Sequence, residues 1–226
     1  MAGWRGAVVV SGTDTGVGKT IVTAAIAAAA TATGVRVAVL KPAQTGGDDD
    51  AGTVARLAAP ATVKTLARYP DPLAPLAAAR VAELAPLGLD HAVAAARDLS
   101  ADHDLVLIEG AGGLLVQLGV SAGGRPWTVA DLASAVEAPV VVVARAGLGT
   151  LNHTALTMEA LRARALTAHG VVIGAWPSRP ELVHGANLAD LGAIAEVIGR
   201  VPEGAGAMEP ADFRRAAAGW LTADPR

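Results

Sequence analysis

The sequence predicts an α/β fold: a doubly wound, mostly parallel sheet with helices on both faces. Two observations carry this reading. Short apolar runs alternate along the chain with helix-length, alanine-rich segments, and runs such as Val140-Val141-Val142-Val143 have no polar residue between apolar ones. A strand with one wet face alternates in polarity, whereas a strand covered on both faces does not, and cover on both faces is the rule for parallel sheets. Ligands of such a sheet gather at the carboxyl ends of its strands.

The elements follow in order. A first strand over 7–11 runs into a glycine-rich turn and then a helix over 19–33, whose core is the strong helix former alanine from Ala24 to Ala30. A second strand covers 36–40, and the Gly- and Asp-rich stretch 42–50 reads as a loop. Helices over 74–84 and 90–99 precede a third strand at 104–108. The stretch 119–127, with Gly123-Gly124-Arg125-Pro126, reads as another surface loop. Strand 140–144, helix 150–165, strand 170–174, helix 186–197, a weaker strand at 198–201 and helix 210–220 complete the series. There is no internal repeat, and 226 residues suit one domain spanning 1–226.

Composition excludes several classes. The chain is 52% hydrophobic with a mean hydropathy of +0.43, but the excess is alanine, and no apolar run approaches the roughly 20 residues that span a bilayer. The N-terminus has no basic-then-apolar signal, which predicts a cytoplasmic protein with no membrane partner. The absence of cysteine excludes disulfides, thiolate metal sites and thiol catalysis. A net charge of −3 with no basic stripe, and aromatics at only 3%, argue against nucleic acid as a partner.

The most informative segment is Val8-Val9-Val10-Ser11-Gly12-Thr13-Asp14-Thr15-Gly16-Val17-Gly18-Lys19-Thr20. An apolar strand enters a glycine-rich turn that ends in Gly-Lys-Thr and opens a helix. Successive backbone N–H groups and the positive end of the helix dipole then form a concave phosphate site. In such a loop Lys19 reaches the β and γ phosphates and the Thr20 hydroxyl coordinates magnesium, which places the fold in the P-loop NTPase type. Five residues rather than the usual four separate Gly12 from Gly18.

Three further strand ends carry residues suited to nucleotide chemistry. The second ends in Lys41-Pro42-Ala43-Gln44-Thr45-Gly46, followed by Asp48, Asp49 and Asp50. The third ends in Glu109-Gly110-Ala111-Gly112-Gly113, and the fourth leads into Gly149-Thr150-Leu151-Asn152-His153. Taken singly, Lys41 reads as a solvated strand-end lysine, and the aspartate run as a solvated turn in which one acid at most does chemistry. Glu109 is different, because a carboxylate directly after a buried apolar run is costly unless it is paired or bound to metal. His153 reads as a helix-start or packing residue, Met158 and Trp220 as packing residues, and Trp176 as either packing or functional.

Together these motifs resemble the dethiobiotin synthetase family, over nearly the whole chain and including the extra P-loop residue. The resemblance implies an ATP-dependent cyclo-ligase of biotin biosynthesis, forming C–N bonds. It would close the ureido ring of dethiobiotin on 7,8-diaminononanoate with CO2, by way of a carbamate and a carbamic–phosphoric anhydride. Lys19 and Lys41 are then the catalytic residues. Gly16, Val17, Gly18, Lys19, Thr20, Ile21, Asp50, Glu109, Gly110, Ala111, Gly112, Gly174, Ala175, Pro202, Glu203 and Gly204 bind nucleotide. Thr20, Asp50 and Glu109 hold Mg2+, with Asp48 and Asp49 as alternatives to Asp50. Thr45 and the segment Gly149, Thr150, Leu151 and Asn152 bind substrate, the latter from a second subunit, which implies a homodimer with the site at its interface.

The chain departs from the family at one place. An asparagine that reads adenine commonly follows the fifth strand, and Gly174-Ala175-Trp176-Pro177 stands there instead, so other nucleoside triphosphates are expected to serve beside ATP. A P-loop ATPase switch of the partitioning or septum-site type is the alternative reading. Those proteins usually carry a second lysine early in the loop, where this chain has Asp14. A cobyrinate-type amidase would add a glutaminase domain and a nucleophilic cysteine, and the chain has neither.

Overall fold

The computed structural model describes residues 4–221. The first half runs β1 (Gly6–Gly12), α1 (Lys19–Thr31), β2 (Val37–Thr45), α2 (Asp50–Ala58), β3 (Thr62–Tyr69), α3 (Pro75–Val81), β4 (Leu87–Gly88), α4 (Leu89–Asp102) and β5 (Leu105–Gly113). The second half runs β6 (Gln117–Val120), β7 (Pro126–Thr128), α5 (Val129–Ala135), β8 (Val140–Ala144), α6 (Thr150–Arg162), β9 (Ala168–Trp176), α7 (Leu182–Ile194), β10 (Val197–Pro202) and α8 (Pro210–Ala217). Short 3-10 turns occupy Ala205–Ala207 and Ala218–Trp220.

Seven strands form one parallel sheet in the order β10-β9-β8-β1-β5-β2-β3. The chain starts in the middle, winds outward to β3, returns through β5 and winds the other way to β10. The pleat sorts side chains into two layers. Val8 and Val10 pack with α1, Val54 and Leu57 of α2 and Phe213 of α8, whereas Val9 packs with α3, α4, α5 and α6 through residues such as Ala79, Ala95, Leu132 and Leu161. Leu191 of α7 covers Ile173 of β9 in a smaller third cluster. Helix α1 is buried continuously from Val22 to Ala30. A helix that is apolar all round is a core helix, and its alanines let the sheet, α2 and α8 approach closely.

Several elements differ from the sequence expectations. Strand β2 does not stop at Leu40 but runs to Thr45, and β5 runs to Gly113, so the expected loop over 42–50 shrinks to the turn between Thr45 and Asp50. Helices α2 and α5 and the edge strand β3 were not expected. The expected loop over 119–127 contains the second half of β6 and most of β7, which join β4 in a three-stranded sheet of their own. Helix α7 begins at Leu182 rather than 186 and ends at Ile194.

Candidate nucleotide site

The loop between β1 and α1 is shaped by its glycines. Gly16 and Gly18 take φ of 71° and 98°, in the left-handed region that side chains avoid. Gly18 also lies against Gly174 of β9, where an added Cβ would stand 2.7 Å from the Gly174 carbonyl oxygen. Asp14 closes the front of the loop: it accepts the Thr15 N–H at 2.7 Å and pairs with Arg145, beyond β8, at 3.1 Å. Lys19 turns back into the loop and donates to the Asp14 carbonyl at 2.9 Å.

Across this loop the ends of β2 and β5 bring charge together. Lys41 is 3% exposed and Glu109 1%, so the solvated reading of Lys41 fails. The Lys41 ammonium donates to Glu109 Oε1 at 2.8 Å and to the Gly110 carbonyl at 3.1 Å, and pairs with Asp50 Oδ2 at 2.5 Å. The Thr20 hydroxyl donates to the same Glu109 Oε1 at 2.9 Å. The burial cost of Glu109 is thus met by two donors. Of the three aspartates, Asp50 faces Lys41, Asp49 pairs with Arg68 of β3 at 3.0 Å, and Asp48 lies at the exposed rim.

The electrostatics follow from this grouping. Burial, and then the nearby Lys41 charge, lower Lys19 to about 8 despite the three carboxylates around it. Burial also opposes charge on Lys41, but Glu109 and Asp50 outweigh it and raise this lysine above the usual ammonium range. Burial would raise the Asp50 carboxyl; Lys41, helped by Thr20 and Lys19, outweighs it and holds the group below the usual carboxylate range.

A cleft of about 370 Å3 opens above these groups. Of the expected residues it is lined by Gly16, Gly18, Lys19, Thr20, Ile21, Lys41, Thr45, Asp50, Glu109, Ala111 and Gly112. Val17 and Gly110 are buried beneath it. Gly174 backs the loop, and Pro202 of β10 registers with Trp176, whose carbonyl accepts the Glu203 N–H at 2.8 Å. Ala175, Pro202, Glu203 and Gly204 are exposed. Trp176 is half-buried, with the Arg200 guanidinium 5.1 Å from its ring.

The expected substrate segment lies elsewhere in the single chain. Gly149, Thr150, Leu151 and Asn152 open α6 and do not line the cleft. They sit beside a second groove of about 360 Å3 lined by His153, Leu115 and Leu156; His153 lies exposed in the first turn of α6, so its helix-start reading holds and its packing reading does not. Asp48, an alternative to Asp50 in the sequence reading, lines the cleft, and so does Gln44, which was not singled out as a site residue. The signal for Gln44 was position, since it follows Lys41 within the stretch read as a loop.

Among the described residues no group of three or more His, Cys, Asp or Glu side chains forms a metal cage. The donor set at the cleft is two carboxylates and one hydroxyl, all oxygen. This fits a hard cation such as magnesium, which takes one or two carboxylates and completes its shell with phosphate and water.

The chain matches the family described as an AAA domain over residues 6–211. It is 55% identical over 219 residues to the ATP-dependent dethiobiotin synthetase BioD of Streptomyces avermitilis, covering 94% of this chain and 90% of that protein. It is 52% identical over 219 residues to the protein of the same name from Rhodococcus jostii, covering 94% and 93%. Among solved structures, the septum site-determining protein MinD complexed with Mg-ADP from Pyrococcus horikoshii superimposes with a TM-score of 0.61 at 18% identity, covering 96% of this chain and 92% of that one. A ParA family ATPase from Chlorobium tepidum superimposes with a TM-score of 0.56 at 10% identity, covering 94% and 90%. At such identities these two share the fold alone.

Proposed function

The chain belongs to the ATP-dependent dethiobiotin synthetases, ligase-type enzymes of biotin biosynthesis, and from that premise we propose that the cleft at the ends of β1, β2 and β5 is where the ureido ring closes. One amine of 7,8-diaminononanoate adds to CO2 and loses a proton to give a carbamate. A carbamate oxygen attacks the γ-phosphorus of ATP, releases ADP and leaves a carbamic–phosphoric anhydride. The second amine attacks the carbonyl carbon, expels phosphate and forms the second C–N bond of the ring.

The observation that carries this reading is the convergence of Lys19, Lys41, Thr20, Asp50 and Glu109 on one cleft. Phosphoryl transfer leaves little covalent work to side chains, so catalysis rests on positioning and charge stabilisation. Lys19 and Lys41 meet the charge that develops on the γ-phosphoryl group and the carbamate. Thr20, Asp50 and Glu109 would hold Mg2+, whose chemistry is to neutralise phosphate oxygens. Backbone N–H groups of the loop from Gly16 to Ile21 take the phosphates, with Gly110, Ala111 and Gly112 opposite.

Gly174, Ala175, Pro202, Glu203 and Gly204 border the base in this reading. None of these residues carries a side-chain amide, which supports use of other nucleoside triphosphates; a steep preference for ATP over CTP and GTP in initial rates would count against it. Thr45 sits near the substrate amines. The distal carboxylate is taken by Gly149, Thr150, Leu151 and Asn152 of a second subunit, at the start of α6, which makes the working enzyme a homodimer. The exposed Leu115, Leu148 and Leu156 near that segment support an interface there. Residues 1–226 act as one catalytic domain, and the reaction draws on cytoplasmic ATP. No described helix is long and apolar enough to cross a membrane.

The test is phosphate release with Mg-ATP and bicarbonate, with and without 7,8-diaminononanoate, alongside mass spectrometry of the product. Substrate-dependent phosphate with the cyclic urea is expected; hydrolysis that ignores the diamine, with no urea, would overturn the reading.

A further inference from the structure

Gln44 is the penultimate residue of β2, is 5% exposed, and lies on the cleft. Its side-chain oxygen accepts the backbone N–H of Asp50 at 3.2 Å, across the turn that joins β2 to α2. Its amide nitrogen donates to the Thr45 carbonyl at 3.4 Å, which orients the side chain along the strand end. Asp50 is the first residue of α2, so its N–H is one of the four that a helix leaves without an intrahelical acceptor. The neighbouring Asp49 carboxylate is engaged by Arg68 and by the Gly52 N–H, so it is not the acceptor for Asp50. Strand β2 therefore grips Asp50 at two points: the backbone through Gln44, and the carboxylate through Lys41 three residues earlier.

We propose that Gln44 is a positioning residue that fixes the start of α2 so that the Asp50 carboxylate stays aimed into the cleft. The inference rests on the reading of Asp50 as a magnesium-nucleotide ligand. Without the Gln44 oxygen, the Asp50 N–H must find water, and the Lys41 contact is left as the tie between Asp50 and β2. Gln44→Met keeps the length and removes the acceptor.

The experiment is a double-mutant cycle on the full chain, with Mg-ADP affinity measured by calorimetry and the magnesium dependence of phosphate release measured beside it. Gln44→Met should weaken Mg-ADP binding about tenfold and raise the magnesium needed for half-maximal rate, as loss of one well-placed hydrogen bond to a backbone anchor would. Asp50→Asn should weaken it further, and the double variant should be no worse than Asp50→Asn alone. A merely structural Gln44 predicts additive losses instead, and additivity overturns the proposal while leaving Asp50 in place. If Asp50→Asn binds Mg-ADP and turns over as wild type, the Asp50 reading fails and the proposal falls with it. Gln44→Glu retains an acceptor oxygen and is the second variant should the methionine form fold poorly: it should hold affinity within about threefold of wild type. A tenfold loss in Gln44→Glu would also overturn the proposal.

Discussion

Substituting Gly174 by alanine tests whether the loop between β1 and α1, proposed to cradle the phosphates, is set by backbone contact with β9. A Cβ at this position would stand 2.0 Å from the Val17 carbonyl oxygen, 2.8 Å from Val143 Cγ1 and 3.0 Å from the Val17 carbonyl carbon. Ordinary contact begins at 3.4 Å, so the loop and strand must part by 1.4 Å. The neighbour in the way is backbone rather than the free end of a side chain, so no rotamer change relieves it. Overpacking of this kind destabilises by about 1–3 kcal/mol, which in a chain of this size lowers Tm by about 2–4 °C per kcal/mol. The functional loss should be larger than the stability loss implies. A displacement of about 1 Å at groups that align a reaction costs on the order of 100-fold in rate, and Val17 is two residues from Lys19. Gly192→Ala is the control: it lies in α7, a Cβ there meets nothing within 4 Å, and helix propensity makes it stabilising by about 0.5–1 kcal/mol. The assay is thermal melting with steady-state phosphate release on both variants. A Gly174→Ala protein with wild-type Tm and wild-type kcat/KM would refute the reasoning.

Lys19 is lowered to about 8 by burial and by Lys41, so kcat/KM for Mg-nucleotide should fall as pH rises through that value, while kcat stays flatter because bound phosphate holds the ammonium charged. Lys19→Arg remains charged throughout and should remove the fall. Stability should rise between about pH 8 and 10.5, where the unfolded chain still binds the proton that folded Lys19 has released, and melts at fixed ionic strength would check the sign. Lys41→Ala should cut turnover far more than nucleotide affinity, and should also destabilise by about 3–5 kcal/mol, because it strands a buried Glu109; near-normal turnover would remove Lys41 from the mechanism. Thr20→Val keeps the shape but loses the hydroxyl on Glu109 Oε1, and calorimetry should find Mg-nucleotide binding weaker by about tenfold.

What the sequence made legible follows burial. Strand β8 falls where expected, at 140–144, because four consecutive valines admit no other environment than a sheet covered on both faces. The first turn of α1 and the loop before it were equally plain, since glycine placement there answers to backbone geometry. Strand β3 was hidden: it is an edge strand, half-buried, and Thr62, Lys64, Thr65 and Arg68 dilute its hydrophobic pattern. Helix α5 carried an overlooked signal, because Thr128 and Asp131 form a reciprocal capping box at its start. The loop reading of 42–50 failed for another reason. Lys41 and Gln44 are polar yet buried, and hydropathy has no means of seeing the partners that make this tolerable.

Those partners come from sheet order, which is why Lys41 looked solvated on its own. Strand β5 lies between β1 and β2, with Val10 level with Glu109 on one side and Leu40 level with Ile108 on the other. Glu109 therefore stands between the element that delivers Thr20 and the strand that delivers Lys41, and one carboxylate oxygen accepts from both. Chain order says nothing of this, because β5 follows β2 and β3 in sequence and is inserted inside them in space. The arrangement is also intolerant of slippage. A shift of one residue in β5 would send Glu109 to the opposite face of the sheet, bury it among the aliphatic side chains beside α4 and α5, and leave Lys41 and Thr20 without their shared acceptor. The apolar run Leu105-Val106-Leu107-Ile108 fills both layers and so pins the register weakly by itself; the charge at its end supplies the discrimination, since only one of the two faces offers Glu109 a partner.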